Sequence, residues 1–163
     1  RDAAAPGTPL LLKIAPDLSP EERADIAALA PGRGIDGIVI GNTTIARPPG
    51  LRSRNAGEAG GLSGRPLLAP STALLSDIYR LTGGRIPLVG VGGIAGAADA
   101  YAKITAGASL VQLYTALVFA GPALVGRIKR GLAELLRRDG YAAIGEAVGA
   151  DHRMAAPRRS VAG

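Results

Sequence analysis

The chain has 163 residues, 47% hydrophobic and 20% charged, which suffices for one packed domain and is too apolar for a disordered one. It has no cysteine and one histidine, His152, so disulfides, thiolate metal sites and multi-histidine metal centres are excluded and no metal is expected. The net charge of +6 gathers around Arg47–Arg54, Arg127–Arg138 and Arg153–Arg159. A solvated surface is the first reading of these groups, anionic lipid headgroups the second. Nucleic acid comes last and is not expected as a partner, because aromatics are only 3% and stacking platforms are scarce.

Leu10–Ile14 is a short apolar run that reads as a strand buried on both faces. Ser19–Pro20–Glu21–Glu22 has the pattern of a capping box with proline in the first helical turn, which predicts a helix to about Ala30, stopped by Pro31–Gly32. Ile38–Val39–Ile40 is the second strand. A loop rich in glycine, arginine and proline follows from Asn42 to about Pro66, and a loop of that length in a small domain is functional or disordered. Leu74, Leu75, Ile78 and Tyr79 recur at helical spacing, and Thr82–Gly83–Gly84 ends that helix. Ile86–Val91 is the third strand, followed by Gly92–Gly93 and a small-residue helix to about Ala106. Leu110–Leu113 is the fourth, followed by Tyr114–Thr115 and a helix with Leu124, Ile128, Leu132 and Leu135–Leu136 on one face, closed by Asp139–Gly140. Asp151–His152–Arg153 reads as the start of an exposed, flexible tail over residues 151–163.

Four strand–helix units in succession imply a parallel α/β sheet, either doubly wound or part of a (β/α)8 TIM barrel. The barrel is favoured because Lys13, Asn42–Thr43–Thr44, Gly92–Gly93 and Tyr114–Thr115 all fall at or just past the C-terminal ends of strands, the face on which barrels build their sites. A complete barrel takes about 250 residues. Four units are therefore expected to be roughly the last four, with the N-terminal half preceding Arg1.

Gly92–Gly93 lets backbone amides approach an anion, and Tyr114–Thr115 leads into a helix, so the two together suit a phosphate-bearing cofactor; a plain tight turn is the alternative. Lys13 at a buried strand end either faces a ligand or snorkels to solvent. Asn42, Thr43 and Thr44 supply donors and acceptors for a planar polar substrate, or only turn chemistry. Gly60–Gly61–Leu62–Ser63–Gly64 is a flexible loop or a backbone contact to the cofactor.

Five stretches taken in order carry a family resemblance. They are Leu12–Lys13–Ile14–Ala15–Pro16–Asp17, Asn42–Thr43–Thr44 with Arg47–Pro48, Gly60–Gly61–Leu62–Ser63–Gly64, Gly90–Val91–Gly92–Gly93, and Ala106 through Thr115. From about Pro9 to Arg153 the chain resembles dihydroorotate dehydrogenases. Asn42–Thr43–Thr44 followed by Arg47–Pro48, Leu113–Tyr114–Thr115–Ala116–Leu117 with Gly121–Pro122, and Gly149–Ala150–Asp151–His152–Arg153 resemble the quinone-linked class 2.

The resemblance implies FMN-dependent oxidation of dihydroorotate to orotate in pyrimidine (UMP) synthesis, with ubiquinone or a similar quinone as acceptor. It implies that Lys13, Gly41, Ser63 and Gly64 contact the flavin, that Gly92, Gly93, Tyr114 and Thr115 hold its phosphate, and that Asn42 and Thr43 bind the pyrimidine ring. Gly41 stands where the family commonly has threonine or serine, so it keeps a backbone contact and loses a hydroxyl. The class 2 base is a serine expected in the preceding barrel half, so no catalytic residue is assigned here. The segment that meets quinone and membrane is likewise expected before Arg1, giving peripheral attachment to the cytoplasmic face of a bacterial inner membrane, the present stretch alone being soluble. A class 1 or other FMN-binding barrel, an inactive or self-pairing half-barrel and a basic nucleic-acid binder are the alternatives.

Overall fold

Ser19 opens the first helix as its sequence predicts. Its hydroxyl accepts from the Glu22 amide at 3.2 Å, and the Glu22 carboxylate accepts from the Ser19 amide at 2.7 Å. This reciprocal cap, with proline behind it, starts α1 (Pro20–Leu29). The structure, a computed structural model, describes residues 7–153.

Strands β1 (Leu11–Ile14), β2 (Gly37–Ile40), β3 (Leu88–Val91) and β4 (Leu110–Gln112) form one parallel sheet in chain order. The main connecting helices are α1, α2 (Leu68–Thr82) and α3 (Ala97–Thr105). A doubly wound sheet reverses its strand order part-way, to put helices on both faces. Here three crossovers run the same way along the sheet, and their common handedness sets all three helices on one face. That is the arrangement of consecutive units of a (β/α)8 barrel, and it decides between the two architectures the sequence left open. Short α4 (Thr115–Ala120), α5 (Ala123–Arg138) and α6 (Ile144–Ala147) complete the α-helices among the described residues.

Two apolar clusters hold the units together. Ile14, Ile38, Ile40 and Leu88 from the sheet meet Leu74, Leu75 and Ile78 of α2. Ile104 of α3 packs with Leu124, Ile128 and Leu132 of α5. Leu75 is fully buried. Leu75→Ala is expected to cost about 2–5 kcal/mol through lost burial and the cavity left behind. A fall in the urea midpoint with an unchanged slope is the measurement that checks this.

The sequence reading of Leu10–Ile14 as buried on both faces is corrected. Leu10, Leu11 and Leu12 are 45%, 47% and 36% exposed, and only Ile14 of β1 is buried. Strands β1 and β4 are the two edges of the four-stranded sheet. Alternate side chains point away from the helices, and on that face Leu11 and Leu110 stay open while Val39 and Val89, between them, are covered.

The expected tail is corrected at its start. Ala150–His152 form a 3-10 turn, and His152 lies against Tyr79 with ring centroids 5.0 Å apart. Its Nε2 also lies 3.1 Å from the Ala106 carbonyl and 3.3 Å from the Ser76 hydroxyl. Sequence could not show this, because the partners are 46 and 76 residues away. Residues 154–163 of the expected tail lie outside the described residues.

Candidate functional site

Because all four strands run parallel, their C-terminal ends share one edge of the sheet. Lys13 sits near the end of β1, Gly41–Asn42–Thr43 follow β2, Gly92–Gly93 follow β3 and Tyr114–Thr115 lie just beyond β4. A half-open cavity of about 180 Å³ lies there. Lys13, Gly41, Asn42, Thr43, Ser63, Gly64, Gly92, Gly93, Tyr114 and Thr115 all line it, together with Leu67, Val91 and Leu113. The ten residues to which the family resemblance gives a cofactor or substrate contact thus border the same space.

The long loop is closed at its neck. Thr44 and Leu62 exchange backbone hydrogen bonds of 3.1 and 2.8 Å as an isolated antiparallel bridge. Arg47 fastens the interior, donating to the carbonyls of Glu58 at 2.7 Å and Gly60 at 2.8 Å. Gly61 lies so close to Thr43 that a Cβ there would stand 2.2 Å from the Thr43 hydroxyl oxygen. The glycine of that segment therefore seats Thr43. On the far side the Thr115 hydroxyl donates to the Ser63 hydroxyl at 3.3 Å, joining the loop to the end of β4.

Thr44 departs from its neighbours. It is buried, and its hydroxyl is held by the Asp17 carboxylate, which also accepts from the Ile45 amide at 3.2 Å. Thr44 is thus a fastening of the loop and does not border the cavity, whereas Asn42 and Thr43 do. Asp17 was visible in sequence only as part of a motif, because its partner is 27 residues away.

The Gly92–Gly93 turn has φ values of +102° and +77°. A Cβ on Gly93 would lie 2.4 Å from the Leu68 amide nitrogen, so the turn presses directly against the start of α2. The Gly92 carbonyl oxygen lies 3.4 Å from the Ser71 hydroxyl, behind the turn. The Gly92–Gly93 peptide bond is trans, so the Gly93 N–H points the opposite way, away from Ser71. A second space of about 300 Å³ adjoins the first across Gly64, Gly93 and Thr115 and reaches Arg65 and Phe119.

The two adjoining spaces present the donors that a phosphorylated flavin requires. An ammonium (Lys13) and an amide (Asn42) stand at one end for a flat polar ring, and a glycine turn, two hydroxyls and Arg65 stand toward the other for an anion. The residues fit an elongated ligand of that kind. At Gly41 an added Cβ would meet only ordinary contacts, the nearest at 3.6 Å, so packing does not demand glycine there. Among the described residues no group of three or more metal-ligating side chains occurs.

Leu67, Val91 and Leu113 were not foreseen as lining residues. Val91 and Leu113 are apolar neighbours of residues that were, Leu67 lies three positions beyond Gly64, and only the fold turns them inward. Lys103 was also missed. It is fully buried on α3, and burial lowers its pKa to about 7, with Asp99 opposing.

A family model described as dihydroorotate dehydrogenase matches residues 3–136. The chain is 60% identical to a dihydroorotate dehydrogenase (quinone) of Rhodospirillum rubrum, over 93% of this chain and 42% of that protein. It is 64% identical to the one from Parvibaculum lavamentivorans, over 88% and 41%. To the mitochondrial dihydroorotate dehydrogenase (quinone) of Arabidopsis thaliana it is 56% identical, over 89% and 32%. A crystal structure of the Eimeria tenella enzyme in complex with ferulenol superposes with a TM-score of 0.87 at 46% identity, covering 90% of this chain and 39% of that one. The chain spans about 40% of the length of the bacterial relatives it matches.

Proposed function

Because the chain belongs to the dihydroorotate dehydrogenase family, whose members are flavoproteins, we propose that it forms the FMN-binding and pyrimidine-binding face of a quinone-linked enzyme that oxidises dihydroorotate to orotate. The observation that carries this reading is the convergence of all ten expected contact residues on one cavity at the C-terminal edge of a parallel sheet.

When bound, the flavin supplies the hydride acceptor for C6 of dihydroorotate and the route by which the electrons reach the quinone. The protein supplies position and charge. Lys13 places an ammonium beside the ring system, where it favours electron-rich ring atoms. Asn42 offers both a donor and an acceptor to the pyrimidine, and Thr43, held by Gly61, adds a hydroxyl. The Gly92–Gly93 turn, Tyr114 and Thr115 take the phosphate, with the Gly93 amide turned away from Ser71 toward it. Ser63 and Gly64 close the loop over the flavin. The base that removes the C5 proton is assigned to no described residue. Peripheral membrane contact is proposed for the part of the whole enzyme that meets quinone, and no described helix is long and apolar enough to cross a membrane.

The test uses the protein expressed from its complete reading frame. Bound FMN and dihydroorotate-dependent reduction of a quinone are expected, with fumarate and NAD as poor acceptors. Preferential reduction of fumarate or NAD would move the protein to another class of the family. Lys13→Ala is expected to lower flavin retention by roughly tenfold, the effect of removing one charge-assisted contact. Unchanged flavin content in that variant would count against the role of Lys13.

A further inference from the structure

The largest fully buried side chain among the described residues is a charged one, Lys103. It leaves α3 and runs behind β3, where Gly90 makes room for it. A Cβ on Gly90 would lie 3.1 Å from the Lys103 Cβ and 3.3 Å from its Cδ. The Lys103 ammonium donates to the Ser71 hydroxyl oxygen at 2.5 Å and lies 3.5 Å from the Leu68 carbonyl. Ser71, itself fully buried, donates onward to the Leu67 carbonyl at 2.6 Å and stands 3.4 Å from the Gly92 carbonyl. Lys103 and Ser71 thus form a strut directly behind the Gly92–Gly93 turn and the start of α2, on the side away from the cavity.

A buried ammonium is an expensive way to fill space that an apolar chain would fill as well. Asp99 is the acidic group that offsets its charge, and it lies on the same helix with its carboxylate already accepting from the Ala95 amide at 2.9 Å. Burial draws the ammonium toward its neutral form, and an anion on the other side of the turn would draw it back. A cation behind a turn of backbone donors strengthens the hold of those donors on a phosphate, because little water intervenes to screen it.

We propose that Lys103, acting through Ser71, is the positioning and specificity-determining residue that makes this site prefer a phosphorylated flavin to an unphosphorylated one. It holds the Leu67–Leu68 and Gly92–Gly93 backbones in register and lends the phosphate end of the cavity a positive charge without touching the ligand. This inference rests on the FMN reading of the site.

The test is titration of flavin-free protein, from the complete reading frame, with FMN and separately with riboflavin, following quenching of flavin fluorescence. Wild type is expected to favour FMN. Lys103→Met is expected to lose on the order of tenfold in FMN affinity while riboflavin affinity changes less than about twofold, as one buried charge acting at short range on a phosphate predicts. Ser71→Ala, which cuts the strut and keeps the charge, is expected to reduce the preference for FMN as well. A purely structural role would weaken both flavins alike, so an unchanged FMN-to-riboflavin ratio in Lys103→Met overturns the proposal. If Lys103→Met does not fold, an unchanged ratio in Ser71→Ala overturns it. Wild type that binds no FMN, or riboflavin equally well, overturns the cofactor reading itself. Wild type that prefers FMN, with variants keeping that preference, overturns the role of Lys103 alone.

Discussion

Gly93→Ala is expected to abolish flavin retention and to cost the fold about 3 kcal/mol or more. Two effects add. Gly93 has φ +77°, a region in which a Cβ is strained. The added methyl would also stand 2.4 Å from the Leu68 nitrogen and 2.6 Å from its Cα. Those are backbone atoms at the first residue of a fifteen-residue helix, so neither a rotamer change nor a small shift relieves the overlap. The turn must move, and with it the amide proposed to meet the phosphate. Gly96→Ala is the control, because a Cβ there meets nothing within 4 Å and its φ is −163°. Flavin absorbance per protein and the urea midpoint are the two measurements. Retention of full flavin content by Gly93→Ala would remove the glycine turn from the site.

The strands and helices were legible because their signals are local. Ser19 with Glu22 marks a helix start, and Leu74, Leu75 and Ile78 recur at its period. The polar residues at strand ends were legible for a related reason: the parallel order that places them on one edge follows from alternating strands and helices. The sequence over-read β1, where Leu10, Leu11 and Leu12 suggested burial on both faces. Apolar character reports what a strand is suited to meet, and an edge position leaves that demand open. Thr44 looked like a third substrate contact beside Asn42 and Thr43, yet Asp17 takes its hydroxyl. Which of three adjacent polar residues turns inward depends on a bridge to Leu62, and no spacing rule reports that. His152 and Lys103 were passed over for the same reason. A histidine near the end of the sequence and a lysine amid alanines look like surface residues until Tyr79, Ser71 and Gly90 are brought beside them.

Lys103 carries the second large effect, and its sign follows from its burial. Its pKa falls from an ordinary 10.5 to about 7, the main cause being loss of water around the ammonium and the opposing cause the charge of Asp99. In the unfolded chain the group keeps its ordinary value. Below about pH 7 both states hold the proton, and the folded state bears the full cost of a buried charge. Between about pH 7 and 10.5 the unfolded state binds a proton that the folded state has released, so stability rises with pH. The limiting slope for one such group is about 1.4 kcal/mol per pH unit. Above that window the group is neutral in both states and contributes no further slope. Lys103→Met removes this dependence. The flavin-free variant is therefore expected to be more stable than wild type at pH 6, by about 1–4 kcal/mol, with the difference shrinking as pH rises toward 10. Urea unfolding of both proteins at intervals from pH 6 to pH 10 measures it, and parallel stability curves would mean that Lys103 keeps an ordinary pKa when folded. A variant that gains stability without flavin and loses preference for the flavin phosphate would show what the buried lysine does. On that outcome it holds the folded state below the stability an apolar side chain would give, in exchange for charge behind the turn proposed to take the phosphate.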